Sequence, residues 1–170
     1  LRKLHVTLLM VPLASPAELQ RASDALAACR PAIARLLPPA ARLTFAGLYN
    51  FRDRVVYAAP ADPERQALIA LHGHLSDAFR AAGLAVGDGR RYTPHMTVMK
   101  LSRATEGGEA LPADIERRGI DRALYAAHAS ARLGSSAVTA VSLCVAKSEA
   151  EGGDGFYEVA ASVPAGAGLA

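Results

Sequence analysis

Cysteine is scarce: Cys29 and Cys144 are the only two in 170 residues, far apart and without a Cys-x-x-Cys spacing. That scarcity speaks against a disulfide framework and against a thiolate zinc site. It fits a reducing, intracellular setting, cytoplasm or nucleus. Long apolar runs are missing as well. The opening "LHVTLLMVPL" is too short to cross a bilayer and is followed by Ser15-Pro16. It has no signal-peptide cleavage pattern. Dense basic runs are also lacking. The formal net charge is +3, and Arg52, Arg54, Arg90, Arg91, Arg117 and Arg118 are scattered. Such a charge is compatible with a phosphate-bearing partner without demanding one. No carboxylate cluster suited to a metal is visible, and tryptophan is absent altogether.

What is present reads as globular. Half the residues are hydrophobic and 21% are charged, an ordinary balance for a folded chain long enough to bury a core. A single domain is expected over residues 1–163, with a flexible tail over 164–170. The expectation is a monomer that forms part of a longer protein.

The chain divides by its punctuation. "LHVTLLMV" (4–11) reads as a strand. Ser15, Pro16 and Glu18 then make a helix start, with a cap, a proline at the first turn and a capping-box glutamate. That helix runs towards Cys29, is restarted or kinked at Pro31, and ends at Pro38-Pro39. "ARLTFAGLYNF" and "DRVVYAAP" read as two strands around a turn near Asn50 to Asp53. Asp62-Pro63 opens a second helix, closed by Gly83, with Leu68, Leu71, Leu75 and Phe79 on one face. "GLAVGDG" suggests a short strand and turn, and "PHMTVMKLS" a further strand. "ATEGGEALPAD" is a loop, "GIDRALYAAHASARLG" a helix from Asp121 to Gly134, and "AVTAVSLCVAKS" and "GFYEVAASV" two last strands joined by "EAEGGDG". Strand, helix, two strands and helix are followed by strand, helix and two strands. This near-repeat predicts an α+β domain of two lobes with mostly antiparallel sheets.

Two of the five histidines sit in the same local frame: His5-Val6-Thr7 and His95-Met96-Thr97. In a strand, residues i and i+2 share a face. Each motif therefore presents an imidazole beside a hydroxyl. If the two lobes face each other, four such groups surround one small volume. That set suits phosphodiester chemistry without a metal or other cofactor. A neutral histidine accepts the proton of an attacking hydroxyl or water, and a protonated one supplies a proton to the leaving oxygen. The threonine hydroxyls can hydrogen-bond the non-bridging oxygens. One such motif would be an ordinary strand histidine beside an ordinary strand threonine. Two, at equivalent places in similar halves, favour function.

Around them, Tyr92 can stack on a nucleobase or merely close a strand entry. By alternation Phe51, Asp53, Val55 and Tyr57 share one face, and Arg52 and Arg54 the other. Tyr57 and Arg54 are taken as further substrate-binding candidates, and Tyr157 as a weaker one. Lys100 should point away from the site unless its strand bulges. His72 and His74, two apart on a helix, diverge and make poor metal partners, with solvent exposure their expected fate.

"LHVTLLM" and "PHMTVMKLS" resemble the paired His-x-Thr motifs of the two-histidine (2H) phosphoesterase superfamily. Within it the chain is most similar to the nucleotide-binding domain of the gamma/delta-type A-kinase anchor proteins, and more distantly to 2′-5′ RNA ligase-like proteins. The likeness covers most of the chain: "GIDRALY", "SLC" and "GFYEVAASV" follow in the order of that domain. The resemblance implies a bilobal fold with two sheets flanking a central cleft and helices outside. It implies His5, Thr7, His95 and Thr97 as the catalytic site. It implies ligands such as AMP-like nucleotides, 2′,5′-linked oligoadenylates, or RNA ends bearing a 2′,3′-cyclic phosphate, either cleaved or merely bound. Members of the family usually carry a strand and helix ahead of the first motif, so the first lobe is expected to be incomplete at its N-terminal edge.

Overall fold

Residues 4–87, 89–101, 118–146 and 157–166 are described in the structure, a computed structural model. Helix α1 (Pro16–Ala28) begins as its residues dictate. Ser15 Oγ accepts the Glu18 amide at 3.2 Å, and the Glu18 carboxylate accepts the Ala14 amide rather than that of the cap residue. Helix α2 (Arg30–Leu36) follows after the break at Cys29. Strands β1 (Arg42–Phe51) and β2 (Val55–Pro60) form a hairpin. Its turn holds Arg52 and Asp53 at φ 50° and 54°. Two successive left-handed residues match the twist of a hairpin. Helix α3 (Glu64–Ala81) buries Leu68, Leu71, Leu75 and Phe79, the face its spacing predicts, and ends ahead of Gly83 at φ +74°. Strand β3 (Met96–Lys100) is followed by β4 (Arg132–Ala137), β5 (Ala140–Cys144) and β6 (Val159–Pro164).

The sheet order is β3-β2-β1-β4, all neighbours antiparallel, with β5-β6 forming a second antiparallel pair. The architecture is therefore α+β with two antiparallel sheets. The main core joins Ala22, Leu26, Ile33, Leu71, Leu75 and Phe79 of the helices to Val141 and Val163 of β5 and β6. A smaller cluster centres on Val56, Ile120 and Tyr125. No helix among the described residues is long and apolar enough to cross a membrane.

Three sequence expectations are corrected. Residues 4–11 are not a regular strand; they make a single antiparallel bridge, Val6 to Met96. Leu8, Leu9, Val11 and Leu13 all pack against the main core. Apolar side chains are thus spent on more than one side of this segment, where a half-exposed strand would alternate. Residues 84–87 form no strand. The expected helix from Asp121 to Gly134 is instead two 3₁₀ turns, Arg122–Leu124 and Ala126–His128, leading into β4. Asp121 does cap, accepting the Ala123 amide at 2.9 Å. Alanine favours a helix, but this segment has no apolar stripe to bury: Tyr125 is buried and Leu124 is 66% exposed. The Gly47 and Leu48 amides of β1 instead donate to the Ala131 and Ala129 carbonyls. The expected loop over 104–114 and the turn over 149–155 lie outside the described residues.

Candidate active site

Strand register decides what shares a face with the second motif. Tyr49 of β1 pairs with Tyr57 of β2, and Tyr57 pairs with Thr97 of β3. Directly opposed residues lie on one side of a sheet. The rings agree. Phe51 stacks on Tyr57 at 4.1 Å, Tyr49 on Tyr57 at 5.7 Å, and the His95 ring stands edge-on to Phe51 and Tyr57 at 5.0 and 5.5 Å. Burial, and after it the neighbouring Tyr49 phenol, pushes the Tyr57 hydroxyl above its ordinary pKa, so it stays a neutral donor.

His95 Nδ1 lies 2.8 Å from the Thr93 carbonyl oxygen. A carbonyl can only accept, so Nδ1 carries the proton. The hydrogen bond fixes the ring and leaves Nε2 as the nitrogen that can take or give a proton. The buried Pro94 stiffens the link between Thr93 and His95.

The bridge between Val6 and Met96 brings in the first motif. With Val6 opposite Met96 in an antiparallel pair, His5 falls across from Thr97 and Thr7 across from His95. Were both chains to alternate as strands on either side of the bridge, all four side chains would use the face that Val6 and Met96 do not. Opposed Cβ atoms in such a pair are about 4.5–5.5 Å apart and diagonal residues about 7–8 Å. The two histidines form one diagonal and the two threonines the other. His5 is exposed, and its ring meets Tyr157 edge-on at 5.5 Å. Each imidazole thus has an aromatic wall: Phe51 and Tyr57 behind His95, Tyr157 behind His5.

The remaining candidates divide. Arg54 sits in the β1–β2 turn, its backbone tied to the Phe51 carbonyl and the Leu101 amide, and lines neither groove beside Tyr57. Tyr92, expected to stack on a nucleobase, stacks on His72 instead and hydrogen-bonds the Thr7 carbonyl. His72, expected in solvent, is half-buried there. Lys100 is the residue most altered by the structure. Val56 pairs with Met99 but Tyr57 pairs with Thr97, so Val98 is an extra residue, a bulge. Lys100 consequently pairs with Val55, on the same side as Tyr57 and Thr97. Tyr49 and Phe51 were reachable from strand alternation; nothing in the sequence marks the bulge.

Two grooves of about 370 Å³ each open on either side of Tyr49 and share Tyr57 as a wall. One is lined by Asn50, Arg122 and Tyr125, the other by Asp62, Arg65, Thr93 and Pro94. Among the described residues no three His, Cys, Asp or Glu side chains gather as a metal site requires.

The family model described as the AKAP7 2′5′ RNA ligase-like domain matches residues 1–165. The chain belongs to that family, and so to the two-histidine phosphoesterase superfamily. Human A-kinase anchor protein 7 isoform gamma is 28% identical over 167 residues, covering 95% of this chain. The chain spans 45% of that relative's length. Two solved structures share the fold of this AKAP7-type domain. A phosphoesterase matches with a TM-score of 0.56 and 21% identity, and Escherichia coli LigT complexed with 3′-AMP with 0.58 and 19%. Each match covers 95% of this chain and 76% of the solved one.

Proposed function

We propose that this domain is a phosphodiesterase acting on RNA or 2′,5′-linked oligonucleotides, including 2′,5′-oligoadenylate or ends bearing a 2′,3′-cyclic phosphate. Its catalysts are His5 and His95, working as acid and base without a metal. The observation that supports this reading is the Val6–Met96 bridge, which brings the segment carrying His5 beside the strand that follows His95. A phosphate seated between them meets a proton acceptor on one side and a proton donor on the other. One imidazole removes the proton of the ribose hydroxyl or water as its oxygen bonds to phosphorus. The other imidazolium protonates the departing oxygen as its bond to phosphorus breaks. Thr7 and Thr97 hydroxyls donate to the non-bridging oxygens, where negative charge gathers. LigT was solved with a nucleotide, 3′-AMP, which supports a nucleotide as ligand here.

The aromatic face beside His95 supports a substrate placement. Neither groove's lining includes the histidines or threonines of the two motifs, and the base of the bound nucleotide is assigned to Tyr49, a residue 51% exposed on the same sheet face as Tyr57. Lys100, turned to the histidine side by the bulge, adds positive charge near the phosphate. Tyr49→Ala and Lys100→Gln should each raise KM with kcat little changed. Stacking on an aromatic is worth about 1–3 kcal/mol per base, so roughly a five- to hundredfold rise in KM is expected for Tyr49→Ala. Steady-state kinetics on a dinucleotide read both.

The deciding experiment is incubation with 2′,5′-oligoadenylate, 3′,5′-RNA and a 2′,3′-cyclic nucleotide, each with and without chelator. Cleavage of at least one, undiminished by chelator, is expected. Cleavage abolished by chelator would reject the metal-free mechanism. Saturable binding of AMP-like ligands with no product from any substrate would identify a nucleotide-sensing module instead.

A further inference from the structure

The segment carrying His5 and Thr7 lacks the ladder that usually fixes a strand. One bridge, Val6 to Met96, ties it to β3, and the Gly87 amide reaches the Met10 carbonyl at 3.3 Å. Between these ties, two side chains act on the backbone. Tyr92 Oη donates to the Thr7 carbonyl at 3.1 Å. His72 Nδ1 lies 2.7 Å from the Leu8 carbonyl oxygen, and so must carry its proton. The two donors form a unit, with ring centroids 4.2 Å apart and planes within 13°. Regular ladders send successive carbonyls to opposite edges. Here one stack meets the carbonyls of two consecutive residues, in a segment that forms no regular strand.

The origins of the two side chains give the stack its reach. His72 is on α3, next to Leu71, which is fully buried. Tyr92 lies three residues before His95, in the segment that also supplies the Thr93 carbonyl to the His95 ring. One stack therefore touches the helical core, the backbone of the first motif and the chain leading into the second. Burial pushes the Tyr92 phenol well above its ordinary range, so it remains a donor wherever imidazoles titrate.

We propose that Tyr92 and His72 are positioning residues: together they clip the His5–Thr7 segment to α3 and set its distance from His95. Neither touches the phosphate. Their effect is on the fit between two proton-transfer groups, where a displacement near 1 Å can lower the rate on the order of a hundredfold. The inference rests on the acid–base reading of the two histidines for its kinetic readout, and not for its structural one.

Tyr92→Phe keeps the ring and its stack and removes only the hydroxyl. His72→Asn places an amide nitrogen where Nδ1 stood, whereas His72→Leu leaves no donor. Expected for Tyr92→Phe and His72→Leu is a fall in kcat on the order of ten- to a hundredfold, with KM within about twofold and the thermal transition still cooperative. His72→Asn should recover most of the loss. The His5 imidazole NMR signals should shift in Tyr92→Phe and stay in place in Tyr49→Phe. Wild-type kcat and unmoved His5 signals in Tyr92→Phe would overturn the proposal, as would equal losses in His72→Asn and His72→Leu. If the wild type cleaves none of the three substrates, the catalytic reading fails. The NMR comparison still decides the clip.

Discussion

His95→Ala and His5→Ala are each expected to lower kcat/KM on the order of 10²–10⁴-fold. The proposed reaction needs a base and an acid in one cycle, and the Val6–Met96 bridge is the tie that brings the two motifs next to each other. Removing either stops one of the two proton transfers. The double variant should be scarcely worse than the single ones, because groups acting as a unit lose most of their joint effect with the first deletion. The wild-type pH–rate profile should pass through a maximum, since one imidazole must be neutral while the other is protonated. Each single variant should lose one limb of that curve. The thermal transition is the control, because the His95 ring also packs edge-on against Phe51 and Tyr57. A profile with both limbs intact in His5→Ala would remove that residue from the acid–base pair.

Leu71→Ala is expected to cost about 2–5 kcal/mol of stability. Leu71 is 0% exposed, in a core where α1 and α2 meet α3, and the cavity left would be lined by side chains held on three helices. For a chain of this size each kcal/mol lowers the melting temperature by roughly 2–4 °C. Urea unfolding should show a lower midpoint with an unchanged slope, since the area exposed on unfolding is the same. Leu124→Ala, in a 3₁₀ turn and 66% exposed, should stay within about 0.5 kcal/mol of wild type. Equal losses in the two variants would mean that the buried helical face does not govern stability.

The contrast between these two leucines explains what could be read from the chain alone. Helix α3 was legible because Leu68, Leu71, Leu75 and Phe79 repeat at helical spacing and all four are buried. The β1–β2 hairpin was legible because two β-rich runs flank a short polar turn. The alanine-rich stretch after Asp121 misled, because propensity without an apolar stripe lacks the packing that makes a helix persist. There β1, needing partners for Gly47 and Leu48, decided the outcome. Residues 4–11 misled for another reason: two of their carbonyls are met by side chains far away in sequence, Tyr92 and His72, which no local pattern announces.

At the candidate site, the shared face of Phe51 and Tyr57 was legible from period-two alternation, whereas the first motif was read on a strand of which the fold keeps only the Val6–Met96 bridge. The partners of the motifs were not legible. Tyr157 reaches His5 from beside β6, and the Thr93 carbonyl that orients His95 is a backbone atom, silent in any sequence.

The extra residue at Val98 bears on how relatives are compared. It works as a phase shift: everything before it in β3 keeps its side, and Lys100 after it changes sides. In a relative whose strand runs straight here, the amino acid aligned with Lys100 faces away from the histidines. Identity at that column therefore means a common role only where the local kink is inherited too, and deleting Val98 alone should reverse the lysine while sparing both members of the second motif.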